Sequence, residues 1–233
     1  MPILALTLDL DDTLWPVWPA LELADQAVDA WLKTHHPTVA QAWPIAAMRE
    51  LRAQVAAERA DLAHDFTRQR QLTLQQAFTH CGITDAPVDV LWDIYFAARN
   101  RVELYPDSLA ALQRLATRWP LVSLTNGNAD LQRIGIHTLF AHHVCARDSG
   151  MAKPDRRIFQ AAADLLELAP EQILHVGDDP LMDVVGAREA GLHTAWINRD
   201  GDVWPSELGP APELDLRDLT SLVDWLETQA SDR

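Results

Sequence analysis

Residues 3–15 constrain this chain more than any other stretch, because an aliphatic run, Ile3-Leu4-Ala5-Leu6-Thr7-Leu8, breaks at once into Asp9, Asp11, Asp12 and Thr13. A run this apolar reads as a strand buried on both faces, the kind found inside a parallel sheet. Asp9 is its last regular residue, and Asp11 and Thr13 share its parity. Once the chain turns, Asp9 and Asp11 can still converge on one point at the strand's carboxyl end. Carboxylates so close repel, and one stays protonated unless a cation lies between them. With oxygen donors alone, the fitting cation is a hard divalent ion, most simply Mg²⁺. The competing reading of this stretch is an acidic loop after an edge strand.

The chain has 233 residues, 48% of them hydrophobic, enough for one large domain or for a core domain carrying a smaller insertion. Its 19 basic residues stand against 34 acidic ones, a net charge of −15. Such a surface repels nucleic acid and anionic membrane, and no basic stripe offsets it, so neither is expected as a partner. Two cysteines, Cys81 and Cys145, are too few for a disulfide scaffold or a zinc ribbon. Met1-Pro2-Ile3 lacks the charged start of a secretory signal, and no apolar run approaches the ~20 residues of a membrane span, so a cytoplasmic location is expected.

From Ala20 to about Asn100 the pattern is helical throughout. Leu21, Ala24, Val28, Trp31 and Leu32 recur at helical spacing, as do Met48, Leu51, Val55 and Leu62, and two further helices follow over 67–81 and 88–100. Pro16 and Pro19 are expected to interrupt the chain before this block. From Tyr105 the text alternates helix and strand, the mark of a parallel α/β sheet. Helices are expected over 108–118, 157–166, 181–190 and 219–228, and strands over 121–125, 142–146, 173–176 and 194–197, the last closing the sheet. Residues 200–212 read as a loop. The expected architecture is α/β, a parallel-sheet core of residues 1–15 and 105–233 with an all-helical domain, 16–104, inserted after the first acidic cluster.

Three further clusters carry chemistry, and open α/β sheets place ligand sites beyond the carboxyl ends of their strands. Thr125-Asn126-Gly127-Asn128 offers a hydroxyl and turn N–H groups that suit an anion, or else is an ordinary turn. Lys153 is one of only two lysines, and Pro154 fixes the chain beyond it, so its ammonium can be aimed at a phosphoryl oxygen or a carboxylate. In Gly177-Asp178-Asp179-Pro180-Leu181-Met182-Asp183, Asp178 ends a strand and Asp183 follows one turn later, able to point back at the same ion. Helix capping accounts for one or two of these acids but poorly for all three. His137, His142, His143 and Cys145 have zinc-ligand chemistry, but adjacent strand residues face opposite ways, so strand surface is the expected role.

Asp9-x-Asp11-x-Thr13, a strand ending in Thr125, Lys153-Pro154, and Gly177-Asp178-Asp179 with Asp183 resemble, in that order, the four motifs of the haloacid dehalogenase superfamily. The resemblance implies a Rossmann-like core with a helical cap that selects the substrate. It implies that Asp9 is a nucleophile, Asp11 an acid/base, Thr125, Asn126 and Lys153 phosphoryl-binding residues, and that Asp9, the Asp11 carbonyl and Asp178 hold Mg²⁺. Asp179 and Asp183 compete for a place beside the metal, and Asp183 is favoured in an outer position. Superfamily dehalogenases lack an acid at the place of Asp11, so its presence argues for phosphate chemistry.

A narrower resemblance runs through residues 119–129 and 173–179, and through His36-Pro37 and residues 64–70, to a bacterial group that hydrolyses flavin mononucleotide and the phosphorylated ribitylamino-uracil precursor of riboflavin. Trp15, Trp18, Phe66 and Tyr95 are then candidates to face a planar heterocycle, and Arg68 or Arg70 to meet its carbonyls. The expected activity is Mg²⁺-dependent hydrolysis of a small phosphorylated metabolite through an aspartyl-phosphate. The alternatives are a sugar phosphomutase of the same superfamily and a receiver-type signalling module. A monomer is expected, with a dimer as the other reading.

Overall fold

The computed structural model describes residues 2–231. In chain order β1 (Ala5–Leu8) is followed by α1 (Val17–His35), α2 (Pro37–Ala42), α3 (Ile45–Glu58), α4 (Phe66–His80) and α5 (Val88–Arg99). Then come α6 (Ser108–Ala116), β2 (Leu121–Thr125), α7 (Leu131–Ile134), β3 (His142–Cys145), α8 (Ala146–Ser149), α9 (Arg156–Leu166) and β4 (Ile173–Gly177). A π-helical segment (Pro180–Val185), α10 (Gly186–Glu189), β5 (His193–Ile197), β6 (Leu214–Leu216) and α11 (Leu219–Ser231) complete the order.

The chain divides into two compact units. One runs to Pro16 and takes in Glu103–Gly127 and everything from Gly135 on; the other is Val17–Val102 with Asn128–Ile134. The first unit is built on a parallel sheet of order β3-β2-β1-β4-β5-β6. β1 lies between β2 and β4, with Leu6 opposite Leu121 on one side and Leu174 on the other. The aliphatic run of β1 is buried along its whole length because helices cover both faces. On one face α9 lays Ile158, Phe159, Ala162 and Ala163 against Val122, Leu124, Val144 and Ile173. Asp155 starts α9 by accepting from the Arg157 N–H at 2.9 Å. The strand order runs from β1 through β2 to β3 on one side and from β4 through β5 to β6 on the other, so β1 and β4 flank the point where a doubly wound sheet opens a crevice at its carboxyl edge.

In the helical unit Ala24, Val28, Leu32, Phe78, Leu91, Tyr95 and Ala98 form a buried core. Within it the Arg70 guanidinium lies 3.6 Å from the Tyr95 ring centroid and shares the Asp25 carboxylate with Arg49.

Three expectations are corrected. Pro19 does not interrupt: it sits in the first turn of α1, where the N–H it lacks would have no helical partner. The helix over 181–190 is instead a π-helical turn running into the short α10. β5 does not close the sheet, because β6 adds beside it, pairing Ala195 with Leu214. A three-residue strand within a Gly/Pro-broken stretch leaves too little alternation to read. No helix among the described residues is long and apolar enough to cross a membrane.

Candidate active site

Where β1 ends, the Asp9 N–H donates to the Val176 carbonyl at 2.9 Å, tying the first acid to β4. The chain then turns through Asp12, whose φ of 60° lies in the left-handed region that aspartate tolerates better than most residues. Two hydrogen bonds close the turn, Asp12 N–H to the Trp15 carbonyl and Leu14 N–H to the Leu10 carbonyl, each at 2.8 Å. The turn aims two side chains. The Trp15 indole N–H donates to Asp11 Oδ1 at 2.8 Å, and the buried Thr13 hydroxyl donates to Asp178 Oδ1 at 2.9 Å.

Lys153 reaches this point from the loop before α9 and is 4% exposed. Its ammonium donates to Asp9 Oδ1 and Asp183 Oδ1, both at 2.6 Å, which leaves one of its three protons uncommitted to either carboxylate. Asn126 fixes its main chain from both sides: Oδ1 accepts from the Lys153 N–H at 2.7 Å, and Nδ2 donates to the Lys153 carbonyl at 3.0 Å. The side-chain amide expected to bind substrate thus holds the lysine loop. Thr125 accepts from the Gly127 N–H at 3.0 Å, which leaves its hydroxyl proton to give.

At the end of β4, Asp178 and Asp183 face the cluster and Asp179 does not. Asp179 caps the π-helical segment, accepting from the N–H groups of Leu181 and Met182 at 2.8 Å. Asp183 is fully engaged: Oδ1 accepts from Lys153 and from His175 Nε2, and Oδ2 accepts from the Asp179 N–H at 3.0 Å. A Cβ on Gly177 would collide with the Asp183 carboxyl, so glycine is what lets that acid lie against the strand.

Carboxylate oxygens of Asp9, Asp178 and Asp183 lie within 4.8 Å of one another, with a single ammonium among them. Burial would raise Asp183, but Lys153 and the hydrogen bond from His175 outweigh it and hold this carboxyl well below its usual range. Burial, with Asp183 and Asp178 as neighbours, pushes Asp9 well above that range despite Lys153. Burial and Asp183 push Asp178 up to about 7 against the Thr13 hydrogen bond. Burial would also lower Lys153, yet Asp183 and Asp9 keep its ammonium above the ordinary lysine range. One lysine thus balances one carboxylate, and the other two can ionise together only if a further cation offsets their charge. An all-oxygen cluster of this kind can hold a divalent metal ion.

Other expectations fare differently. Trp15 is 0% and Tyr95 2% exposed, so neither presents a ring face; Trp15 instead positions Asp11, and Tyr95 is core of the helical unit. Trp18 and Phe66 are 55% and 45% exposed. Arg68 is exposed on α4, its backbone N–H capped by Asp65 at 2.8 Å, and Arg70 is held by Asp25. His143, on β3, has Nδ1 2.6 Å from the hydroxyl of Ser123 on β2, outside the acidic cluster. Sequence reasoning missed Thr7 and His175, which face each other across β1 and β4 with Thr7 Oγ1 2.8 Å from His175 Nδ1. The available signal was one polar residue in each of two adjacent aliphatic strands, since buried polar groups need partners.

A family model for haloacid dehalogenase-like hydrolases matches residues 3–191. The 5-amino-6-(5-phospho-D-ribitylamino)uracil phosphatase YigB of Escherichia coli is 32% identical over 230 residues, 95% of this chain and 96% of that protein. A phosphoserine phosphatase of Thermus thermophilus is 34% identical over 156 residues, 64% of this chain and 62% of that one. Among solved structures, a 2-haloacid dehalogenase from Pseudomonas syringae pv. Tomato superposes with a TM-score of 0.89 at 31% identity, covering 97% of this chain and 99% of that one. With the motif acids gathered at the carboxyl edge of a doubly wound sheet, these matches make the chain a member of the haloacid dehalogenase-like hydrolase family.

Proposed function

We propose that this chain hydrolyses phosphate monoesters through a phosphorylated Asp9, with Mg²⁺ as cofactor. The observation that carries the reading is Asp11 itself: a carboxylate two residues past Asp9, held by the Trp15 indole N–H, suits a leaving group that needs a proton. The near full-length similarity to a ribitylamino-uracil phosphatase supports the same chemistry.

In this reading Asp9 attacks phosphorus in line, and the bond from phosphorus to the ester oxygen breaks. Asp11 gives the departing alkoxide its proton, then takes one from the water that attacks phosphorus and frees Asp9. General acid–base help of this kind contributes about 10²–10⁴ in rate. The remaining Lys153 proton and the Thr125 hydroxyl hold phosphoryl oxygens, while Asp183 and Asn126 keep the lysine aimed. Asp9, the Asp11 carbonyl and Asp178 would hold Mg²⁺, with Asp183 outside them; when bound it would supply positive charge that favours ionised Asp9 and screens the acids from the phosphate.

The helical unit selects the substrate, a small phosphorylated metabolite such as FMN or 5-amino-6-(5-phosphoribitylamino)uracil, and exposed Arg68 is a candidate contact in it. A panel of phosphorylated metabolites scored for inorganic phosphate tests the proposal. Release should require Mg²⁺, stop with EDTA, and fall at least roughly 10²-fold in Asp9→Asn. Turnover by Asp9→Asn or in EDTA would overturn it, and phosphate transfer between sugars without release would favour the phosphomutase.

A further inference from the structure

The mechanism above leaves one buried imidazole without a task. His175 is 1% exposed in the middle of β4, among neighbours on the strand that are aliphatic. Both ring nitrogens are engaged: Nε2 lies 3.0 Å from Asp183 Oδ1, and Nδ1 lies 2.8 Å from the Thr7 hydroxyl. Its ring meets Phe159 edge-on at 5.0 Å between centroids, which fixes its plane.

The direction of these bonds follows from what each group can do. An ionised Asp183 only accepts, so Nε2 must carry the proton facing it. Nδ1 of that tautomer only accepts, so the Thr7 hydroxyl donates to it. The donors then run one way, from Thr7 to His175 to Asp183, and Lys153 meets them from the other side by donating to the same Asp183 oxygen at 2.6 Å. That oxygen is shared by the imidazole and the ammonium, while the other is pinned by the Asp179 N–H. Remove the imidazole donor and the carboxylate keeps two of its three partners, free to turn about the Asp179 bond and carry Lys153 with it.

Resting on the phosphatase reading, we infer that His175, oriented by Thr7, is a positioning residue that locks Asp183 and so aims the free Lys153 proton at the substrate phosphoryl group. It touches neither substrate nor the reacting atoms. Partners of this second kind typically matter by about 10–100-fold when removed.

Three variants separate this from a packing role. Gln at 175 can place an N–H near the old Nε2 and keep the bond to Asp183; Asn reaches only as far as the old Nδ1; Phe keeps the ring and loses both. With melting temperature monitored in each, His175→Phe and His175→Asn should lose about 10–100-fold in kcat/KM on p-nitrophenyl phosphate, and His175→Gln should stay within about 3-fold of the parent. Full activity in His175→Phe, or equal losses in the Gln and Asn variants, would overturn the inference. Nitrogen-15 spectra of the full chain give a readout independent of turnover: the His175 resonances should report protonated Nε2 and bare Nδ1, a state weakened in Thr7→Val, and the opposite tautomer would overturn the relay. If the parent released no phosphate from any ester, the phosphatase reading would fall while the spectra still decided the relay.

Discussion

In the phosphatase reading Asp11 must meet the leaving oxygen in one rotamer, and its neighbourhood holds the carboxylate in place. Trp15, four residues on, is wholly buried, and the turn through left-handed Asp12 brings its indole N–H back to Asp11 Oδ1. A hydrogen bond to a charged group contributes about 1.5–3 kcal/mol, which as lost transition-state positioning corresponds to roughly 10–100-fold in rate. Trp15→Phe keeps most of the buried ring and deletes the donor. Steady-state assays should show kcat lower by about 10-fold, with KM within about 2-fold, because Lys153 and Thr125, the groups proposed to hold the phosphoryl oxygens, are untouched. An unchanged kcat would mean that Asp11 needs no such support. Asn126 gives similar support, its amide holding the backbone on both sides of the Lys153 Cα.

At the scale of the element, the segment after β4 decides how three acids divide their work. Asp179 caps it, so Asp178 is left at the strand end and Asp183 returns to the cluster from the π-helical turn, a geometry that recurs at functional sites. The return requires Gly177 to have no side chain. Gly177→Ala should displace Asp183, lowering kcat/KM by at least roughly 10-fold and lowering the melting temperature, since overpacking typically costs about 1–3 kcal/mol; a fully active, equally stable variant would show that Asp183 has room to spare. Asp9 and Asp178 were legible because each follows an aliphatic run that reads as a buried strand, and the parallel sheet was legible because such strands alternate with helices. What the residue order hides is pairing across elements: Thr7 with His175, Asn126 with Lys153, Trp15 with Asp11. Each joins ordinary residue types, and only the strand register or the turn brings them together. The π-helical turn was hidden for a related reason, because Pro180 and its apolar followers read the same in either helix type.

Over the whole molecule the excess of acid, −15 overall, is sharpened at one buried place where three carboxylates share one ammonium. Without metal, Asp9 and Asp178 hold their protons above the pH at which an unfolded aspartate, near ~3.9, gives them up. The unfolded chain therefore binds fewer protons from these groups as pH rises past about 4, and the stability they contribute declines until Asp178 ionises at about 7 and beyond, until Asp9 follows. Asp183 works the other way: its depressed value adds stability that is present above ~3.9 and lost in stronger acid. Burial lowers His175, which adds stability as pH rises towards ~6.5, but one such group does not offset two raised aspartates, so metal-free protein should melt at lower temperature at pH 7.5 than at pH 5. A divalent ion in the proposed site favours the ionised acids, so saturating Mg²⁺ should raise the melting temperature more at pH 7.5, by about 5–10 °C at a hundredfold excess over Kd, than at pH 5. Asp178→Asn removes one of the strained acids, so it should melt higher than the parent without metal at pH 7.5 and should lose most of the Mg²⁺ response. Scanning calorimetry at both pH values checks all of this, and a Mg²⁺ shift that is the same at pH 5 and 7.5, or that survives in Asp178→Asn, would remove the cation from the acidic cluster.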